Sequence, residues 1–193
     1  MQQPYGQYVP YFVPYHAPQP PSTEDIENKL NADLVNPITI YPLPSGYAWE
    51  AWQSKAFQGF NIKFMIGFLD YNGHHWFIEV HAKWNKRSWF DDEPYALSLK
   101  LNGFSMANPT QGSHPALWSF LVHKAKRLIA NHTALSVLHH YHATRVTLAV
   151  VNDLIATGNR EALYALFTAD TTPLAMWDQD AWSRVLDWQA TRH

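Results

Sequence analysis

Eleven histidines and no cysteine set the chemistry open to this chain of 193 residues. Without a thiol there is no disulfide framework, no Cys-ligated zinc, no iron–sulfur cluster and no thiolate nucleophile. Imidazole and carboxylate would have to hold any metal. His139, His140 and His142 fall in a stretch that reads as helical, and His139 and His142, three residues apart, would share one face. No carboxylate lies in the adjacent turns to complete a site, and hydrated imidazoles on a helix surface account for the group as well. Glu79 and His81 alternate to the same side of a strand, about 7 Å apart, a span that one cation bridges. Paired side chains on an exposed sheet face explain them equally, and His75 is too far along to join them. The sequence therefore predicts no metal centre and no cofactor. A histidine-based metal-dependent enzyme is the third-ranked reading.

Other catalytic patterns fare no better. Gly103-Phe104-Ser105-Met106-Ala107 has the form of a nucleophile elbow. An elbow needs a strand before the serine and a helix directly after it, and Asn108-Pro109 breaks the chain there. Asp91-Asp92-Glu93 sets three carboxylates side by side in what reads as a loop, where they face water. There is no H-E-x-x-H and no phosphate-cradling glycine loop. No constellation names a reaction, and the chain reads as non-enzymatic.

Basic residues give the second-ranked reading, a nucleic-acid-binding regulator. Lys124, Lys126 and Arg127 cluster with His123, and Lys83, Lys86 and Arg87 follow a hairpin. Phe77, Trp84 and Trp89 lie nearby in sequence as rings on which bases could stack. The cluster is short, however, acidic residues lie close by, and the net charge is −2. A clearly basic face is the usual mark of such a binder.

The leading reading rests on residues 1–22. Tyr5, Tyr8, Tyr11, Phe12 and Tyr15 alternate there with proline and glutamine. Proline fixes φ and removes donors, which rules out a helix or a central strand and favours extended, polyproline-like conformations. Plain linkers favour glycine, serine and charge, whereas tyrosine is enriched where proteins touch. The expectation is a non-enzymatic interaction or assembly protein. Its aromatic arm docks on a protein partner or on another copy of the chain.

Residues 23–193 then form a single α+β domain that holds the arm. Ser22 or Thr23 caps a short acidic helix with Ile26, Leu30 and Leu34 on one stripe, ended by Asn36-Pro37. Residues 37–47, rich in proline, read as an extended connector. Phe60, Ile62, Phe64, Ile66 and Phe68 alternate along a strand over 60–69, and Trp76, Ile78, Val80, Ala82 and Trp84 along its partner over 75–84. Asn72-Gly73 predicts a type I′ turn between them. A third strand follows at 95–101 with Leu97, Leu99 and Leu101 on one face, and Asn102-Gly103 turns the chain again. The rest is helical, from Pro115 to about Asn131, over 133–157 to Gly158, from Asn159 to about Thr168, and from Asp178 or Asp180 onward. Strands first and helices after predict an antiparallel β-meander of about three strands over 60–101, with helices packed on one face. The opposite face would show Lys63, Met65, His75, Phe77, Glu79, His81, Lys83 and Lys100, partly covered by the arm or by the helix near residue 26.

The chain contains no apolar run of the ~20 residues that span a bilayer. Pro4, Pro10, Pro14, Pro18, Pro20 and Pro21 interrupt any signal-peptide core. These features predict a soluble, cytoplasmic protein with no membrane partner.

Overall fold

The structure is a computed structural model that describes residues 18–32, 39–41, 50–53, 58–70, 72–85 and 88–191, with the backbone alone at 39–41, 50–53 and 58–60. Its elements run α1 (Thr23–Ala32), β1 (Thr39–Tyr41), β2 (Glu50–Gln53), β3 (Gln58–Leu69), β4 (His75–Lys83), β5 (Ala96–Leu101) and β6 (Phe104–Ser105). Then come α2 (Pro115–His140), α3 (Leu148–Ala156), α4 (Arg160–Thr168), a 3₁₀ turn (Leu174–Met176) and α5 (Gln179–Ala190). An antiparallel sheet followed by helices makes the chain α+β, as its patterning requires.

Period-two alternation builds the core. Ile62, Phe64 and Ile66 on β3 stand opposite Ala82, Val80 and Ile78 on β4, which stand opposite Leu97, Leu99 and Leu101 on β5. All nine are buried in one cluster with Leu117, Leu121, Val122 and Ile129 of α2. Slipping any strand by one residue would turn this row to the other face, so burial fixes the register.

The sheet is wider than the sequence suggests. β1 and β2 both pair antiparallel with the free edge of β3, β1 opposite Met65–Gly67 and β2 opposite Gln58–Asn61, giving six strands in all. Pro37, Pro42 and Pro44 hide β1 in a stretch that reads as connector. Proline excludes a central strand but tolerates a short one on an edge, which is where β1 lies.

The two Asn-Gly turns also differ. Asn102 (φ +45°) and Gly103 (φ +87°) form the two-residue turn that joins β5 to β6, with Leu101 facing Phe104. At Asn72-Gly73 the sequence expectation of a type I′ turn fails. The Asp70 N–H donates to the His74 carbonyl at 3.0 Å, so three residues separate the paired ends, and of Asn72 and Gly73 only the glycine has positive φ. Asp70 explains the wider loop. Its carboxylate accepts from the Asn72 N–H (2.8 Å), the His74 N–H (2.9 Å) and the Trp76 indole (3.0 Å).

Burial opposes the charge on Asp70, but those donors together with His74 outweigh it and hold the carboxyl below its ordinary range. A depressed folded-state pKa stabilises the fold above the unfolded value and loses that contribution as pH falls through the folded one. Asp70→Asn should therefore lower the urea midpoint at pH 7, and the gap from wild type should narrow below about pH 3.9. A gap independent of pH would show that the carboxylate charge is not what holds the loop.

In the helical half, the break expected after Asn131 is absent, and α2 runs unbroken to His140. Asn131 reaches outward instead, and its side-chain oxygen accepts from the Asp170 N–H at 2.7 Å. The helix ends when the His142 N–H bonds the His139 carbonyl (3.1 Å) and the Ala143 N–H bonds the Leu138 carbonyl (2.9 Å). This is a Schellman closure with histidine where glycine is usual. Thr147 caps α3 and Asn159 caps α4. Gly158, at φ +68°, separates them as expected.

α1 corrects one further expectation. It packs against α2, on the helical side of the molecule, and does not cover the outer sheet face. On that face Lys63, Met65, Phe77, Glu79, His81 and Lys83 are half-buried, while His75 and Lys100 are exposed. The later part of the expected acidic helix, including Leu34, lies outside the described residues.

Candidate interaction site

The residues expected to make contacts, Tyr5, Tyr8, Tyr11, Phe12 and Tyr15, lie outside the described residues, as do Lys86 and Arg87. What the structure places is the root from which the arm departs. Pro21 and Thr23 are buried, and Ile26 is 0% exposed within the core. Ser22 and Asp25 form a reciprocal cap, the Ser22 N–H donating to the Asp25 carboxylate (2.8 Å) and the Asp25 N–H to the Ser22 hydroxyl (3.1 Å). The Ser22 backbone N–H, then its hydroxyl, hold the Asp25 carboxyl below its usual pKa. Two longer ties fix the helix to the body. The Thr23 hydroxyl donates to the Ala107 carbonyl at 2.7 Å, and the Glu27 carboxylate accepts from the Ala116 N–H at 3.0 Å. His114, at the start of α2, supplies no side-chain cap, so Glu27 of α1 satisfies that helix end and sets an anion where the dipole favours one.

Beside the root lies a groove of about 350 Å³, lined by Pro18, Pro20, Pro21, Trp76, Leu101, Asn102, Phe104, Ser105 and Met106. Its character is apolar and aromatic. Phe104 is 79% exposed, and the one polar atom of the Trp76 ring is committed to Asp70. Sequence reasoning touched Phe104 and Met106 only as parts of a false nucleophile elbow. The available signal was Asn102-Gly103, because a two-residue turn sends its next side chain to the end of the sheet, and here that side chain is an unpaired-looking aromatic. Ser105 itself sits on the two-residue β6 with no helix directly after it, so the elbow fails as the sequence predicts.

The histidine pattern does not hold as expected. His139 is in the last turn of α2, but His142 lies beyond the helix with φ +49°, and the two rings are 6.3 Å apart at their centroids. They do not share a helix face. Among the described residues, no group of three or more His, Asp or Glu side chains is placed to hold a metal ion. On β4, Glu79 stands between Met65 and Lys100, and His81 between Lys63 and Ser98. His142 has a backbone task, and a left-handed conformation costs a residue with a Cβ about 1–2 kcal/mol. His142→Gly should raise the unfolding free energy by about 0.5–1 kcal/mol in urea titration, net of the entropy glycine adds to the unfolded chain. A clear destabilisation would mean the imidazole carries an interaction that this turn does not explain.

Of the described basic residues, Lys124 and Arg127 line one pocket on α2 together with His123, Asn131 and Asp170, and each cation on this helix has a neighbour. Lys126 lies 3.5 Å from Glu93, Arg127 bonds Asp170 and the Thr168 carbonyl, and Lys124 sits 5.6 Å over the Phe120 ring. Lys83 is on β4, on the sheet face away from α2. Trp84 and Trp89, rings expected to lie near bases, are each 1% exposed. Two of the three adjacent carboxylates have partners: Asp91 accepts from the Ser88 hydroxyl at 3.3 Å and Glu93 faces Lys126, while Asp92 contributes its backbone carbonyl, which accepts the Trp84 indole N–H at 3.0 Å.

A polar cleft of about 620 Å³ opens between α2, α3 and α4, lined in part by Ser136, His140, Tyr141, Asp153 and Glu161. The Tyr141 hydroxyl donates to Asp153, and this bond raises the phenol above its usual pKa. A phenol held neutral against a carboxylate is a structural tie between α2 and α3, and is poorly suited to proton transfer near pH 7. No helix among the described residues is long and apolar enough to cross a membrane. No known family model, curated protein or solved structure matches the chain.

Proposed function

We propose that this chain is a non-enzymatic interaction or assembly protein, which docks on a protein partner or on another copy through the aromatic rings of its N-terminal arm, residues 1–22. One observation carries the reading. The arm leaves the body at a fixed point, since Pro21, Thr23 and Ile26 are buried and α1 is tied to α2 and to Ala107. A contact segment gains affinity when its base is held, because less motion is lost on binding. Tyrosine adds large, rigid contact area at low conformational cost.

Removing residues 2–16 tests it. The cut spares Pro18–Ser22, which line the groove and cap α1. Association in sedimentation or pull-down should be lost while the melting temperature moves by no more than about 2 °C, since no described core residue is touched. Unaltered association would remove the reading.

A further inference from the structure

We infer that the cleft between α2, α3 and α4 is a binding site for a free aliphatic polyamine, a ligand with ammonium groups spaced along a methylene chain. The inference goes beyond the proposed function and uses no residue of the arm.

The first support is the sign of the lining. At about 620 Å³ the cleft falls within the range of small-molecule sites, roughly 300–1,000 Å³. Asp153 of α3 and Glu161 of α4 bring carboxylates to it from separate helices, and none of the described lining residues is lysine or arginine. A cation entering the cleft meets net negative charge in a concave site, where low-dielectric walls concentrate the field.

The second support lies in the hydroxyl protons. A hydroxyl has one proton to give and two lone pairs with which to accept. Of the four hydroxyls in the lining, three have committed that proton inside the protein. Ser136 donates to the His132 carbonyl at 3.0 Å, Thr157 to the Asp153 carbonyl at 2.8 Å, and Tyr141 to the Asp153 carboxylate. What these groups keep for a ligand is lone pairs. Asn159, whose side-chain oxygen accepts from the Ala162 N–H at 3.1 Å, keeps its amide protons, so the cleft is rich in acceptors without being wholly made of them.

An acceptor-rich, anionic lining matches a ligand that carries positive charge and donates from several N–H groups. Such charge-assisted hydrogen bonds are roughly twice as strong as neutral ones. A bare metal ion is a poorer match, because no three His, Asp or Glu side chains among the described residues are placed to hold one. Val137, Leu154 and Ala162 add an apolar wall. The methylenes between ammonium groups can lie against it, as lysine stems lie along apolar surface.

Titrating the full-length protein with spermidine in a calorimeter tests this. Triethylene glycol serves as an uncharged chain of similar length, and magnesium chloride as a competitor at matched ionic strength. Spermidine should bind wild type saturably, the glycol should not bind, and magnesium should not displace the amine. Asp153→Asn and Glu161→Gln should each weaken binding about tenfold, the scale of one charge-assisted hydrogen bond. Amide NMR shifts of wild type on adding spermidine should gather at His140, Tyr141, Asp153, Thr157 and Glu161, a readout that holds even if a substitution disturbs the fold. Absence of saturable binding, shifts scattered over other carboxylates, or displacement by magnesium would each overturn the inference. So would folded variants that bind spermidine as wild type does.

Discussion

Replacing Tyr5, Tyr8, Tyr11, Phe12 and Tyr15 together by serine, with every proline left in place, should weaken association at least a hundredfold. Keeping the prolines leaves the backbone's intrinsic preference for extended conformations unchanged, so this change removes aromatic area and little else. A buried aromatic ring takes about 150–250 Å² out of water. Truncating one at an interface centre costs about 2 kcal/mol or more, and few positions in any interface carry that much. Two such rings among the five suffice, since about 4 kcal/mol is close to a thousandfold in the dissociation constant. The body should keep its fold, because the described core is a continuous cluster of Ile26, Phe64, Ile66, Leu121, Leu163 and their neighbours. Isothermal titration or sedimentation equilibrium reads the affinity, and circular dichroism reads the melting temperature. A loss of fold alongside the loss of association would mean that the arm belongs to the body.

Ile26→Ala should be among the most damaging single changes for stability, at about 2–5 kcal/mol. Ile26 is 0% exposed, and its loss would leave a cavity beneath α1. For a domain of this length each kcal/mol moves the melting temperature by about 2–4 °C. The damage should also spread to a particular place. Glu27, the next residue, accepts from the Ala116 N–H at the start of α2. Loosening α1 therefore withdraws the cap from the longest helix, and amide exchange at Ala116 and its neighbours should quicken more than at the far end of α2. A cost below about 1 kcal/mol would show α1 to be a surface appendage. The arm would then have no fixed root.

Much of the fold was legible because it rests on periodicity. Ile62, Phe64 and Ile66 against Leu97, Leu99 and Leu101 are ordinary period-two rows, and burial on one face leaves them a single register. The misreadings all come from interactions between residues distant in sequence or specific to one side chain. Asn131 looks like a helix end, but its side chain serves Asp170, and the helix passes it by. His142 looks like a ligand, yet its φ of +49° makes it the residue that closes α2. Asn72-Gly73 and Asn102-Gly103 are the same dipeptide, and the preceding Asp70 carboxylate distinguishes their turns. β1 escaped notice because its proline neighbours mask a three-residue edge strand.

For the site, composition alone proposes the arm, since tyrosine and proline without charge describe contact surface better than tether, and the arm's rings lie outside the described residues. The groove was not legible. Trp76 and Leu101 belong to strands, Phe104 and Met106 to a loop that resembled an elbow, and Pro18–Pro21 to the arm itself. No sequence pattern joins segments that far apart; the pairing of β4 with β5 and of β5 with β6, and the Thr23–Ala107 tie, bring them together.

Oxidative footprinting by hydroxyl radicals reads the arm's rings directly, comparing the assembled full-length protein with a free peptide of residues 1–17. Tyr5, Tyr8, Tyr11 and Tyr15 should react several-fold more slowly in the assembly than in the peptide. Equal rates in the two, with association still intact, would contradict the account.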